Sequence, residues 1–259
     1  MHFQKAALVL LTAPLACVAN DPAGSWLSYA VYNAPSATSR ITSLNTTWTV
    51  PSNPSQSFGS NAPGWWFGLQ TAKGDGALIQ PILAYGYQGA RWSIFNACFD
   101  WTDGSWHTSD EVYTVQPGDE ITSSVVATGK RSYTMRICAN GKCIVTPYTL
   151  EEGQSETEST AYFVLEHQPL FCSAYPADGS MQFKNIYIEV DGQEVKNADW
   201  QAKQESPKCS SECKILDAKT IEFSWNPKGN TALAQAKPQA GGQPIPAKWG
   251  FGGAPSWRD

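Results

Sequence analysis

Charge is scarce in this chain: only 16% of its 259 residues are Asp, Glu, Lys or Arg, the net charge is −5, and Lys and Arg never gather in a run. A nucleic-acid binder needs a basic patch, so no polyanionic partner is expected. Histidine is rarer still, at three residues. Neither HExxH nor GxSxG occurs, which removes the usual zinc-hydrolase and serine-nucleophile motifs. Helical periodicity is missing throughout, and no apolar run reaches the roughly 20 residues of a membrane-crossing helix. The one apolar stretch, Ala6 to Leu15, follows Lys5 and precedes small residues around Ala19. It reads as a secretory signal, residues 1–19, and no membrane partner is expected.

Cysteine is plentiful by comparison. Seven are present, and six remain after the signal: Cys98, Cys138, Cys143, Cys172, Cys209 and Cys213. An even number behind a signal predicts disulfides. "CANGKC" makes Cys138–Cys143 the natural local pair, "CSSEC" points to Cys209–Cys213, and Cys98 is left with Cys172. Zinc is the rival, but His107 and His167 stand at no ligand spacing from a cysteine pair, so neither metal nor cofactor is expected. "NTT" at Asn45 has the form of an N-glycosylation acceptor.

From Ser25 onward the chain reads as strand, turn, strand. "GWWFGLQT", "GALIQPILAYG", "ARWSIFNACFDW", "EITSSVVAT", "STAYFVLEH" and "MQFKNIYIEV" are short, rich in Val, Ile, Thr and aromatics, and bounded by Gly, Pro, Asn or Asp. Asn140-Gly141 marks a two-residue hairpin, because a type I′ turn needs positive φ at both central positions. About ten such strands without helices predict an all-β, two-sheet antiparallel β-sandwich over residues 20–227, with a closed barrel as the alternative. A single monomeric domain is the expectation. Residues 228–259 turn to Gly, Pro, Ala, Lys and Gln and are expected to be a disordered tail, although "KWGFGGAPSW" there allows a docking role.

Strand alternation sorts the polar side chains. Trp92, Ile94, Asn96, Cys98 and Asp100 share one face, expected to line a groove; Phe95, Ala97 and Phe99 share the other, expected in the core. Glu166 shares a face with Tyr162 and Val164, and Gln80 with Leu78. Pro81, lacking an N–H, predicts an edge or a bulge beside Gln80.

In order and spacing, these strands resemble the glutamic peptidases, the eqolisin family of secreted fungal acid proteases. "SW" at Ser25-Trp26, followed by "TSLNTTWTVP", is similar to that family's opening. "GWWFGLQT" resembles its Trp-Val-Gly-Ile-Asp segment, which places Trp66 on the active-site tryptophan and Gln70 on the aspartate. "ALIQPILAYG" resembles Ala-Ile-Leu-Gln-Thr-Gly and places Gln80 on the catalytic glutamine. "NACFDW" puts Asp100 where a supporting glutamate stands, and "TAYFVLEH" puts Glu166 on the catalytic glutamate. Only a few residues separate Ala19 from Trp26, so that family's basic pro-segment is not expected here.

The resemblance implies a concanavalin-like sandwich and a peptidase acting on polypeptides. Glu166 would activate water and later protonate the leaving amine; Gln80 would hold the tetrahedral intermediate; Trp66 and Asp100 would orient and shield the pair. A glutamate carboxyl, which ordinarily titrates near ~4.3, suits both roles in acid. Asn96, Tyr162 and His107 are groove candidates without assigned roles. The alternatives are a glycan-binding module with "GWWFG" and "WTDGSWH" as its surface, and a secreted structural or effector protein with an inert groove.

Overall fold

The computed structural model describes residues 25–55, 63–71, 76–152, 157–166 and 171–229. The expected signal over 1–19, His167 and nearly all of the expected tail lie outside the described residues. The strands are β1 (Trp26–Asn33), β2 (Ile41–Thr49), β3 (Gly64–Thr71), β4 (Ala77–Gly86), β5 (Gly89–Asp100), β6 (Trp106–Thr108), β7 (Tyr113–Val115) and β8 (Glu120–Gly129). They continue as β9 (Ser132–Ala139), β10 (Lys142–Thr149), β11 (Glu158–Glu166), β12 (Ser180–Val190), β13 (Gln193–Glu194), β14 (Gln201–Gln204), β15 (Glu212–Asp217) and β16 (Thr220–Ser224).

They form two sheets, as expected, and the barrel is not seen. The first runs β14-β1-β11-β3-β4-β5-β6 with β7 against β5; the second runs β10-β9-β8-β2-β12-β16-β15 with β13 against β12. Every pairing is antiparallel. The β9–β10 hairpin turns at Asn140 and Gly141, with φ of 53° and 73°, the left-handed pair that a type I′ turn requires.

The sheets bury themselves differently, and the difference positions the site. In the second, β8 alternates: Ile121, Ser123 and Val125 point inward while Glu120, Thr122 and Val126 face water. In the first, β3 and β11 are buried along their whole length and β4 in all but its last residue. One face of the first sheet meets the second sheet, through Trp65, Phe67, Ile79 and Phe163 against Trp48, Ile137 and Phe183. Phe163 lies 4.8 Å from Phe183 and stacks on Phe67 at 5.6 Å. Burying each such ring stabilises the fold by about 1.5–3 kcal/mol. The opposite, outer face carries a second apolar cluster that includes Trp26, Tyr29, Trp66, Phe95 and Tyr162.

Cysteine pairing departs from the sequence reading in one respect. Cys138 and Cys143 are in register across the hairpin and bonded, but Cys209 bonds Cys172, leaving Cys98 and Cys213 as buried thiols. Nearness in "CSSEC" says nothing of direction: Cys209 sits in a left-handed turn with φ of 54°, whereas Cys213 lies on β15 and points into the core. Burial, reinforced by Asp100 and Glu151, pushes the Cys98 thiol up to about 11, and burial pushes Cys213 up to about 12. Thiol titration of the chain cut after Ala19 is expected to find no reactive group in the folded protein and two after unfolding; none after unfolding would contradict this pairing.

Asn45 is half-buried on the outward face of β2, opposite Ser124 and Tyr187.

Candidate active site

Three central strands of the first sheet place the candidate residues on its outer face. Glu166 is the last residue of β11, Trp66 the third of β3 and Gln80 the fourth of β4. The register builds rows across these strands: Glu166, Gly64 and Ala84; then Val164, Trp66 and Ile82. In the next row Tyr162 pairs with Gly68, and the Gly68 backbone lies beside Gln80, itself opposite Ala97. On this face of β3, Trp66 therefore stands between two glycines.

Glu166 is held from two sides. Trp66 Nε1–H donates to Oε2 at 2.5 Å and Ser25 Oγ–H donates to Oε1 at 2.7 Å. The residue is only 6% exposed. Each carboxylate oxygen retains a lone pair, so the group is anchored and can still accept a proton from water. Trp26 packs edge-on against Trp66 at 5.0 Å and against Tyr162 at 5.3 Å, fixing the indole that fixes the carboxylate. Ser25 precedes β1, where alternation gives no information, and its place beside Trp26 was the only signal for it. Ser25→Ala is expected to lower turnover about tenfold, the scale of one hydrogen bond to a charged group. An unchanged kcat would mean that Trp66 suffices.

Gln80 is 2% exposed and its Oε1 is buried without a hydrogen-bond partner. Leaving such a group unpaired costs about 1–3 kcal/mol, which a bound ligand or water would recover. Gln80 and Glu166 stand two strands and four residues apart, about 16 Å between backbones on an ideal lattice. Trp66 marks the middle of that diagonal.

Pro81 is neither at an edge nor in a bulge. On one side it pairs with Asn96 of β5; on the other, the β3–β4 ladder has rungs at Trp66–Ile82 and Leu69–Ile79 and none between. The missing N–H is absorbed as a gap inside a central strand. Gly68 fits that gap: a Cβ there would lie 2.5 Å from the Ile79 carbonyl oxygen and 3.2 Å from Gln80 Cβ. Gly68→Ala is expected to destabilise the fold by about 1–3 kcal/mol and to reduce activity by displacing Gln80. Thermal unfolding and initial rates together check it; wild-type values for both would refute the close approach.

The expected faces of β5 are reversed. Trp92, Ile94 and Cys98 point into the inter-sheet core, while Phe95, Ala97 and Phe99 lie on the outer face with Trp66. Polarity misleads here because the outer face is itself apolar. Asn96 is consequently not in the groove: it is fully buried between the sheets, donating through Nδ2 to Met135 O, Ile144 O and Thr146 Oγ1 at 3.0–3.4 Å. Asp100 Oδ1 accepts from the backbone N–H and hydroxyl of Thr102, tying the turn after β5. It shares the Asn96 and Cys98 side of the strand, opposite the face that carries Phe95, Ala97 and Phe99. His107 is exposed on β6 and bonds Ser105 Oγ at 3.0 Å. Gln70, where the resemblance has aspartate, accepts from Trp101 Nε1 at 2.9 Å. "GWWFG" forms no open glycan platform, since Trp65 and Trp66 are 0% and 1% exposed.

Solved structures with this architecture include scytalido-glutamic peptidase bound to a transition-state analogue inhibitor, at 19% identity and a TM-score of 0.55, over 78% of this chain and 98% of that one. SCP-B, a member of the eqolisin family solved with the tripeptide Ala-Ile-His, matches at 18% identity and a TM-score of 0.53 over the same shares. Among curated proteins no sequence matches the chain. The family model of the peptidase A4 family matches residues 25–225, from the serine that holds Glu166 to the tryptophan that follows β16. The chain belongs to the peptidase A4 family, the glutamic peptidases.

Proposed function

We propose that this protein is a secreted acid endopeptidase that cleaves polypeptides with Glu166 and Gln80 and needs no metal. The observation that carries the reading is the Glu166 carboxylate, anchored by Trp66 and Ser25 on the face it shares with Gln80. Glu166 takes a proton from water, and the water oxygen attacks the scissile carbonyl carbon. The resulting oxyanion accepts a hydrogen bond from the Gln80 amide, whose unpartnered oxygen is free to accept from the attacking water or a substrate N–H. Protonated Glu166 then donates to the amide nitrogen as the C–N bond breaks, which returns it to its starting form. Trp66 keeps the base in place through both transfers. Asp100 has no part in this scheme, and Tyr162 contributes a wall through its contact with Trp26.

Two disulfides suit an oxidising, extracellular compartment. The deciding experiment is cleavage of an acid-denatured protein by the purified chain across the acid range, with chelator present. Chelator-insensitive cleavage is expected. A correctly folded chain that cleaves nothing at any pH would overturn the reading, and glycan binding would then be tested in its place.

A further inference from the structure

The two disulfides lie in opposite surroundings. Cys172 and Cys209 are 3% and 1% exposed and belong to the core between the sheets. Cys138 and Cys143 sit on the outward face of the β9–β10 hairpin, both half-buried, with Arg136, Asn140, Gly141 and Val145 exposed around them. β10 is the edge strand of the second sheet, so no further strand covers the hairpin on that side. A small molecule can approach the first sulfur pair only.

Alternation puts Arg136 two residues before Cys138 on the same outward face, and register puts Cys143 directly across from Cys138. The guanidinium therefore reaches both sulfurs: Nε–H donates to Cys138 Sγ and Nη2–H donates to Cys143 Sγ, each at 3.1 Å. The residues opposite Arg136, Val145 on β10 and Ser124 on β8, carry no charge, and among the described residues no carboxylate forms an ion pair with it. A permanent cation is thus aimed at the sulfur pair. A disulfide sulfur is a weak acceptor and gains little from it, whereas a thiolate gains a charge-assisted hydrogen bond. Arg136 accordingly favours the opened, anionic form over the closed bond.

We propose that Cys138–Cys143 is a thiol-exchange site that takes a small thiol of the glutathione class, with Arg136 holding the displaced thiolate. The incoming thiolate bonds to one sulfur of the pair, the Cys138–Cys143 bond breaks, and its electron pair stays on the other sulfur beside the guanidinium. The product is a mixed disulfide and one cysteine thiolate, a reversible cap. A second small thiol, attacking the sulfur of the first, leaves both cysteines reduced and the two small thiols joined as their own disulfide. Exchange quickens as the leaving thiolate is stabilised, and exposed disulfides form the labile class. The fold survives the opening: the bond closes a separation of five residues, and the ladder from Lys142–Ala139 to Thr149–Ser132 remains, with Ile137 and Ile144 buried beneath it. Nothing in the exchange depends on Glu166 or Gln80, which lie on the first sheet.

Incubating the chain cut after Ala19 in neutral glutathione buffers of graded redox ratio, followed by alkylation and peptide mass spectrometry, tests the site. Glutathione is expected on Cys138 or Cys143 and absent from Cys172 and Cys209, while near-ultraviolet circular dichroism stays native. In Arg136→Ala the equilibrium constant for opening is expected to fall about tenfold, or about 30 mV for a two-electron couple. Arg136→Lys keeps the charge but loses the planar fork, and its constant should lie between the two. The direction of the change separates this role from a structural one: if Arg136 merely braced the hairpin, its removal would make the bond open more readily. Opening of both disulfides together, glutathione on neither hairpin cysteine, or an Arg136→Ala chain that opens as readily as wild type or more so, would overturn the assignment.

Discussion

Glu166→Gln is expected to abolish proteolysis, by at least about 10³-fold in kcat, in a protein that still folds. The glutamine keeps the shape and most of the hydrogen bonding: Trp66 Nε1–H can donate to its oxygen, and the Ser25 hydroxyl can rotate to accept from its NH₂. What it loses is the basic oxygen that receives the proton from water. Gln80→Ala removes an oxyanion donor without touching the base and is expected to cost about 10²–10³ in kcat with KM little changed. The double variant should be scarcely slower than Glu166→Gln alone, because the oxyanion never forms without the base. Initial rates on a denatured protein substrate, beside unfolding curves for each variant, check all three. Near wild-type turnover in Glu166→Gln would remove Glu166 from the chemistry, and multiplicative losses would mean that Gln80 acts in some other step.

Removing the Cys172–Cys209 bond by paired serine substitution is expected to cost about 4 kcal/mol, from the chain entropy of a loop spanning a separation of 37 residues. The Cys138–Cys143 bond closes a separation of five and should be worth only about 2 kcal/mol on the same basis. Against a domain stability of roughly 5–15 kcal/mol, the first loss brings the protein close to its unfolding threshold. The longer bond also ties the turn after β11 to the turn before β15, and Cys209 O accepts from the backbone of Asn226. Its loss should therefore loosen the packing of Trp225 on Trp65 and Tyr175. Urea midpoints of the two paired variants give the comparison; equal losses would refute the loop-length account.

Local pattern was legible because its causes are local. Positive φ at Asn140 and Gly141 follows from what those residues tolerate, and the hairpin and its Cys138–Cys143 bond follow from that turn. Alternation placed Gln80 with Leu78 and Glu166 with Tyr162, and those sets do share the outer face, since successive side chains in a strand must point to opposite sides. The resemblance marked Ser25 and Trp26 only as the opening of the family's pattern, with no place beside Glu166 and no role for the hydroxyl.

Alternation cannot say which of two faces meets the other sheet. Where both are apolar, as along "RWSIFNACFDW", polarity loses its meaning, and Asn96 proved to be a core residue whose amide nitrogen donates to carbonyls of β9 and β10. Asp100 was read as a support for the dyad and ties a turn in its place. Cysteine pairing failed for the same reason, because Cys209 reaches a partner 37 residues away through a turn whose direction no neighbouring residue fixes. By itself the sequence determined an all-β chain, the succession of its main strands and the side chains that share a face with Glu166 and with Gln80. The tertiary structure alone decided which face is the outer one, how Pro81 fits a central strand beside a gap in the β3–β4 ladder, and that Trp66 and Ser25 hold the carboxylate. Those are contacts between segments distant in sequence, and their free energy is set by packing across strands rather than by any residue's own preference.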